Sequence, residues 1–262
     1  MLFPRLDDLA LFALPALAVL WTWWHHARVR RGRLPALRPL TGIATLDERL
    51  GEGVESGKPL HIATGTGQPG SVGPTAESLA SLLIADRLAD LATRRSSNVL
   101  ITNGEAVNHA ASRGTLRRIY RATGLSGDYC STQAQLVAHE TPIAYAAGVV
   151  RRYATDPIDT GVMVGDYGAE ALLIAEEGTH HRITHIAGAT NLAALPGLTL
   201  STYATLVGEE LWAAEAYLSS AAAPKARLLT MDALRRVAVA AILAGLIYGI
   251  VNSALNLGLP AL

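Results

Sequence analysis

The 262-residue sequence predicts an α/β fold: a mostly parallel, Rossmann-like sheet with helices on both faces, flanked by one transmembrane helix at each end. Three observations predict it. Short apolar β-type runs alternate with longer stretches of helical period between Thr41 and Arg227, a charge-free apolar segment lies towards either end, and the first β-type run enters a helix through a glycine-rich turn. The divisions that follow are an N-terminal transmembrane helix over 1–27, an arginine-rich juxtamembrane linker over 28–40, an α/β domain over 41–227 and a C-terminal transmembrane segment over 228–262.

Leu9 to Trp24, "LALFALPALAVLWTWW", holds no charge and is followed by His25, His26, Arg28, Arg30, Arg31, Arg33 and Arg38. As a helix this stretch rises about 24 Å against roughly 30 Å of hydrocarbon. Trp21, Trp23 and Trp24 suit an interfacial belt, and the arginines snorkel to make up the difference. A cleaved signal peptide is the alternative, disfavoured because its cleavage site would fall where the basic cluster lies. The second segment follows Arg235 and Arg236, and Val237 to Leu262 is free of charge. Ala241, Gly245 and Gly249 form a small-residue face on which another helix can pack, or that lipid can cover. With arginines beside both segments, the positive-inside rule places the middle of the chain in the bacterial cytoplasm and both termini outside.

Within the middle region, "PLHIAT" (59–64), "NVLIT" (98–102), "AQLVA" (134–138), "GVMVG" (161–165), "RITHIAG" (182–188) and "YATLVG" (203–208) read as strands. Helices are expected over 75–95, with Leu79, Leu82, Leu83, Leu88 and Leu91 buried, from Ala106 to a stop at Gly124, over 142–154 behind Pro142, across "AEALLIAEEG" (169–178), and across "EELWAAEAYLSS".

Charge and cysteine content exclude several classes of function. Formal net charge is zero, but Arg5, Arg28, Arg30, Arg31, Arg33 and Arg38 face only Asp7 and Asp8 in the N-terminal part, so the remainder is mildly acidic. That balance argues against nucleic acid, which needs a concentrated positive footprint. Cys130 is the one cysteine, which rules out a disulfide framework, a thiolate zinc cage and an iron–sulfur set. No G-x-S-x-G, S-x-x-K or H-E-x-x-H is present.

The stretch "HIATGTGQPGSVGP" contains a literal G-x-G-x-x-G at Gly65, Gly67 and Gly70. Two features set it apart from a dinucleotide fingerprint: the helix begins only after "SVGP", and the next acidic residue beyond a strand, Glu105, lies some forty positions after Gly65. Anion binding at the helix start and a plain connection both remain open. Several strands end in glycine beside a small polar residue, and in open parallel sheets such ends form the ligand crevice. Gly65, Thr66, Gly67, Gly70, Asn103, Glu105, Asp166, Asn191 and Glu209 would then line one rim. Its carboxylates suit a divalent cation, or a cationic or hydroxylated ligand, better than bare phosphate. Turn chemistry explains the same residues without a ligand. His180, His181 and His185 read as a solvated hairpin rather than a zinc site, Cys130 as a packed or exposed lone thiol, and Arg117, Arg118 and Arg121 as the wet face of a helix.

Taken together, "LHIATGTG…GPTAESLASL", "TPIAYAAGV", "VMVGDYGAEALLIAEEG", "IAGATN" and "LVGEELWAAEAYL" resemble an uncharacterised family of bacterial membrane-anchored proteins, in which a domain of unknown function lies between terminal transmembrane helices. The resemblance covers most of residues 41–230 and implies architecture only, with no activity or catalytic residue. The expected role is that of a non-enzymatic, membrane-tethered assembly subunit that joins copies of itself or other membrane-protein subunits, with no cofactor. The alternative is a sensor or enzyme that binds a small molecule, nucleotide or divalent cation at the rim.

Overall fold

The structure, a computed structural model, describes residues 6–33, 37–71, 73–139 and 141–254. Part of the basic linker (34–36), Val72 in the glycine-rich turn and the predicted apolar segment beyond residue 254 lie outside the described residues. Two units emerge, one from residues 38–219 and one from both terminal stretches.

In the first unit, α2 (Thr41–Ser56) precedes β1 (Leu60–Gly65), α3 (Thr75–Arg94), β2 (Val99–Asn103) and α4 (Ala106–Ala122). There follow β3 (Ala134–Leu136), α5 (Pro142–Thr155), β4 (Thr160–Asp166), α6 (Ala171–His180) and β5 (Thr184–Ala189). The unit closes with α7 (Leu195–Ser201), β6 (Ala204–Val207) and α8 (Glu209–Leu218). All strand pairs are parallel, in the order β3-β2-β1-β4-β5-β6. Parallel strands need crossover connections, and helices filling both faces bury the sheet completely. Every residue of β1 and β2 is accordingly buried. On one face Leu60, Ile62, Ile101, Val162, Val164 and Ile186 pack with residues of α2, α3, α4 and α8. The opposite face sets Ala63, Leu100, Met163 and Ala187 against Tyr145, Tyr153, Ile174 and Leu198 from α5, α6 and α7.

The helix expected over 75–95 is present, and of the leucines expected on its buried side Leu88 is buried and Leu91 packs against the core, while Leu79 and Leu83 turn outward. Ser78, Ser81, Ile84, Ala85, Leu88, Ala89 and Ala92 are buried, whereas Leu79 is 52% and Leu83 36% exposed. Small side chains let the first half of this helix lie close to the sheet, which turns Leu79 and Leu83 outward. Two helices escape the periodicity reading. α2 contains Gly42, Gly51 and Gly53, and the seven-residue α7 carries Pro196 and Gly197.

The second unit contains α1 (Leu6–Arg30) and α9 (Ala222–Ala254), which pack on each other; Thr22 Oγ1 donates to Thr230 Oγ1 at 3.1 Å. Among the described residues α9 is the one helix long and apolar enough to cross a membrane, over Ala222–Ile250. Val237, Val239, Ile242, Leu243, Leu246, Ile247 and Ile250 are exposed along it. The expected N-terminal span is a helix, with nineteen residues free of Asp, Glu, Lys and Arg between Asp8 and Arg28, but among the described residues it does not reach the length and apolarity of a membrane-crossing helix.

Candidate functional site

The sheet order places a topological switch between β1 and β4, since the chain builds outward from β1 to β3 and then returns to the other side of β1. In open α/β sheets ligands bind outside the carboxyl ends of the strands at such a point. The glycine-rich turn leaves β1 there. Gly65 has φ +73°, and a Cβ there would collide with the Asp166 carbonyl oxygen, so no side chain fits; pairing between β1 and β4 shifts register at the same place. At Gly67 an added Cβ would stand 2.6 Å from Ser78 Oγ and 2.7 Å from Asp166 Cβ. The turn is therefore folded down onto β4. Three of its polar groups are engaged within the protein: Gly65 N–H donates to Tyr145 Oη at 3.3 Å, Gly70 N–H to Thr75 Oγ1 at 2.9 Å, and Gly67 O accepts from Asn108 Nδ2 at 3.0 Å.

Carboxylates dominate the crevice. Asp166 is half-buried, and loss of hydration, then the charges of Glu77 and Glu170, push its carboxyl above the usual range. Glu77, in the first turn of α3, accepts a hydrogen bond from Thr190 Oγ1 beyond β5. Glu170 is 9% exposed and accepts Gly168 N–H at 2.7 Å. Like charges so arranged repel phosphate and favour a cation or a proton. Glu77, Glu170 and Thr190 were absent from the predicted rim because nothing local marks a helix glutamate as facing a distant strand end. The sequence signal was the acidic first turn of α3 behind a glycine-rich turn.

Other rim residues have structural partners. Asn103 is fully buried: its Oδ1 accepts from Thr64 Oγ1 at 3.0 Å and Ser112 Oγ at 2.9 Å, and its Nδ2 donates to Gln135 O at 3.3 Å. Glu105 is the N-cap of α4, its Oε2 accepting Val107 N–H at 2.6 Å and Asn108 N–H at 2.9 Å. The half-buried Thr66 sits against Gly104. Asn191, exposed, accepts Ala193 N–H at 3.0 Å in a turn, and Glu209 opens α8 behind the edge strand β6. Four strand spacings, about 19 Å, separate the ends of β2 and β6, so Glu105 and Glu209 do not converge on one ion.

Behind the turn runs a buried polar chain. Tyr153 Oη is 3.0 Å from His61 Nδ1, His61 Nε2 is 3.0 Å from Thr102 Oγ1, and Thr102 Oγ1 is 3.3 Å from Tyr145 Oη. Tyr145 Oη donates to Thr102 O at 3.2 Å and accepts from Gly65 N–H. One assignment satisfies every donor: Tyr153 donates to Nδ1, Nε2–H to Thr102, and Thr102 to Tyr145. His61 is then neutral, consistent with burial, then the charges of His185 and Arg152, driving its pKa down to about 3. Burial likewise raises the phenols of Tyr145, Tyr153 and Tyr167.

His185 corrects the predicted hairpin. It lies within β5 at 1% exposure, packed against Tyr153 and between Gly161 and Gly178, whose missing side chains give the ring its space. Burial lowers its pKa to about 4. The error came from three nearby histidines in sequence that straddle a helix end and a buried strand. His180 and His181 stay exposed at the end of α6 beside Glu177. Cys130 is exposed, and Arg117, Arg118 and Arg121 line the outer side of α4.

No curated protein and no solved structure matches this chain. Across residues 6–258 the sequence matches the domain of unknown function DUF6754, and the chain belongs to that family.

Proposed function

We propose that this protein is a non-catalytic α/β module tethered to the bacterial membrane by α1 and α9, with the sheet domain in the cytoplasm and both termini outside, and that it assembles with copies of itself or with another membrane protein. The observation that carries the reading is α9: its apolar side chains from Val237 to Ile250 are exposed, which in water would leave a large unpaid hydrophobic surface. Gly245 and Gly249 have open space around them, where a second helix can approach. Arg28 stacks over Trp24 at 4.6 Å, as an interfacial pair does. The native Cys130 supplies the test, because it is exposed and its hydrogen bond with Thr132 lowers the thiol pKa. A membrane-impermeant maleimide should label it only after the inner membrane is opened; labelling in intact cells refutes the orientation. In mild detergent the protein should run larger than one chain, and a dilute monomer refutes assembly.

A second reading, a sensor for a small cationic or hydroxylated ligand, draws support from Asp166, Glu77 and Glu170 at the switch point. Since Asp166 titrates above its unfolded value, its charge costs stability at high pH and the cost vanishes as pH falls towards 4. Asp166→Asn should therefore raise Tm by about 2 °C at pH 8 and leave it unchanged near pH 4. A thermal-shift screen with nucleotides, polyamines and divalent ions should find a ligand whose effect this variant removes; no shift with any of them eliminates the reading.

A further inference from the structure

The last turn of α6 brings together three metal-ligating side chains far from the switch-point crevice, at the opposite, amino-terminal edge of the sheet. Glu177 and His181 stand four residues apart and His180 three from Glu177, so all three project from one side of the helix end. One ligand atom from each lies within 4.8 Å of the other two. His181 Nε2 is already 3.0 Å from Glu177 Oε1. Two bonds of about 2.0–2.1 Å at a tetrahedral angle set donors about 3.3–3.4 Å apart, so a small outward movement opens this pair to an ion.

The backbone beneath is fixed. His181 N–H donates to Glu177 O at 3.0 Å, Arg182 N–H to Thr179 O at 3.1 Å and Ile183 N–H to Gly178 O at 2.8 Å, so the turn that carries the donors is hydrogen-bonded back onto the end of α6 just before β5 begins. The helix carboxyl terminus adds a negative dipole end, which favours a cation. Glu176, Thr179 and Arg182, which flank the three residues, also line a hollow of about 400 Å³ between α6 and the start of β6.

We propose that Glu177, His180 and His181 form a site for a divalent transition ion of the zinc class. Two imidazoles and one carboxylate select Zn²⁺, Ni²⁺ or Cu²⁺ over Mg²⁺ and Ca²⁺, which prefer all-oxygen shells. Three protein ligands leave a coordination position for water or an incoming ligand, the arrangement of an exchangeable ion rather than a sealed structural one. Bound there, the ion clasps the end of α6.

The test is calorimetric titration of the full chain in detergent with zinc chloride, alongside copper titration followed by electron paramagnetic resonance. One Zn²⁺ per chain is expected, with Mg²⁺ giving no heat, and the copper spectrum should show two nitrogen ligands. His180→Ala and His181→Ala should each weaken Zn²⁺ binding by roughly tenfold or more, Glu177→Gln should weaken it too, and His139→Ala should leave it unchanged. All four sites are at the surface, and near-ultraviolet circular dichroism verifies that each variant is folded. Absence of Zn²⁺ binding at millimolar concentration overturns the proposal, as does undiminished affinity in the His180 and His181 variants or a copper spectrum with no imidazole nitrogen.

Discussion

A methyl group at Gly67 would press on Ser78 Oγ and Asp166 Cβ, whereas one at Gly114, on the outside of α4, would meet nothing within 4 Å. The two glycines should respond to alanine with opposite sign. Gly67→Ala is expected to destabilise the protein by about 1–3 kcal/mol through overpacking. Gly114→Ala should stabilise it by up to about 1 kcal/mol by removing backbone freedom from a helix interior. Denaturant titration of the full chain in detergent measures both. If Gly67→Ala is neutral, the turn is not held against β4 as described. The G-x-G-x-x-G pattern was visible in the sequence, but its cause was not. Two of its glycines answer to the proximity of Asp166, a residue one hundred positions downstream of the turn, which no local pattern reveals.

Among the elements, all six strands were legible as short apolar runs, five of them punctuated by Gly, Asn, Asp or Pro and β3 by the polar Thr132-Gln133 and His139-Glu140 pairs. The ends of α4 were also legible: Glu105 caps its start, and the chain leaves it through Gly124 at φ +78°. Glu105 caps α4 through one carboxylate oxygen, and the weight of that role is testable. Glu105→Ala leaves the Val107 and Asn108 amides without their acceptor and should cost about 1–2 kcal/mol, with Glu105→Gln recovering part of it. A larger effect on ligand binding than on stability would restore Glu105 to the rim. The buried side of α3 was legible in its second half, at Leu88 and Leu91, but not in its first, where periodicity marks Leu79 and Leu83 while close packing against the sheet selects Ser78, Ala80, Ser81 and Ala85. For α2 and α7 the glycine and proline content masks a helix that tertiary contacts impose: Leu46 and Leu50 of the former and Leu198 of the latter are buried.

Across the molecule the α/β unit carries an acid liability in its core. Unfolded, His61 and His185 take up protons near pH 6.5; folded, they resist until about 3 and about 4. Stability contributed by their neutrality is complete above pH 6.5 and is lost as the pH falls through that window, at about 1.4 kcal/mol per pH unit for each histidine once the unfolded state is protonated. Asp166 opposes this trend with a smaller effect. Heat denaturation in detergent at pH 7.5, 6 and 5, followed by near-ultraviolet circular dichroism, should give a falling Tm; a flat Tm between pH 7 and 5 contradicts the burial of these rings. One further property belongs to the chain order. Leu60 pairs with Thr160, so the central seam of the sheet joins partners one hundred residues apart. On a ribosome adding about 5–20 residues per second, β1 waits roughly 5–20 seconds with that edge unpaired before its neighbour is made. Closing so long a loop is entropically costly and slow. The acidic crevice, which straddles this seam, is thus among the last features of the nascent chain to take shape.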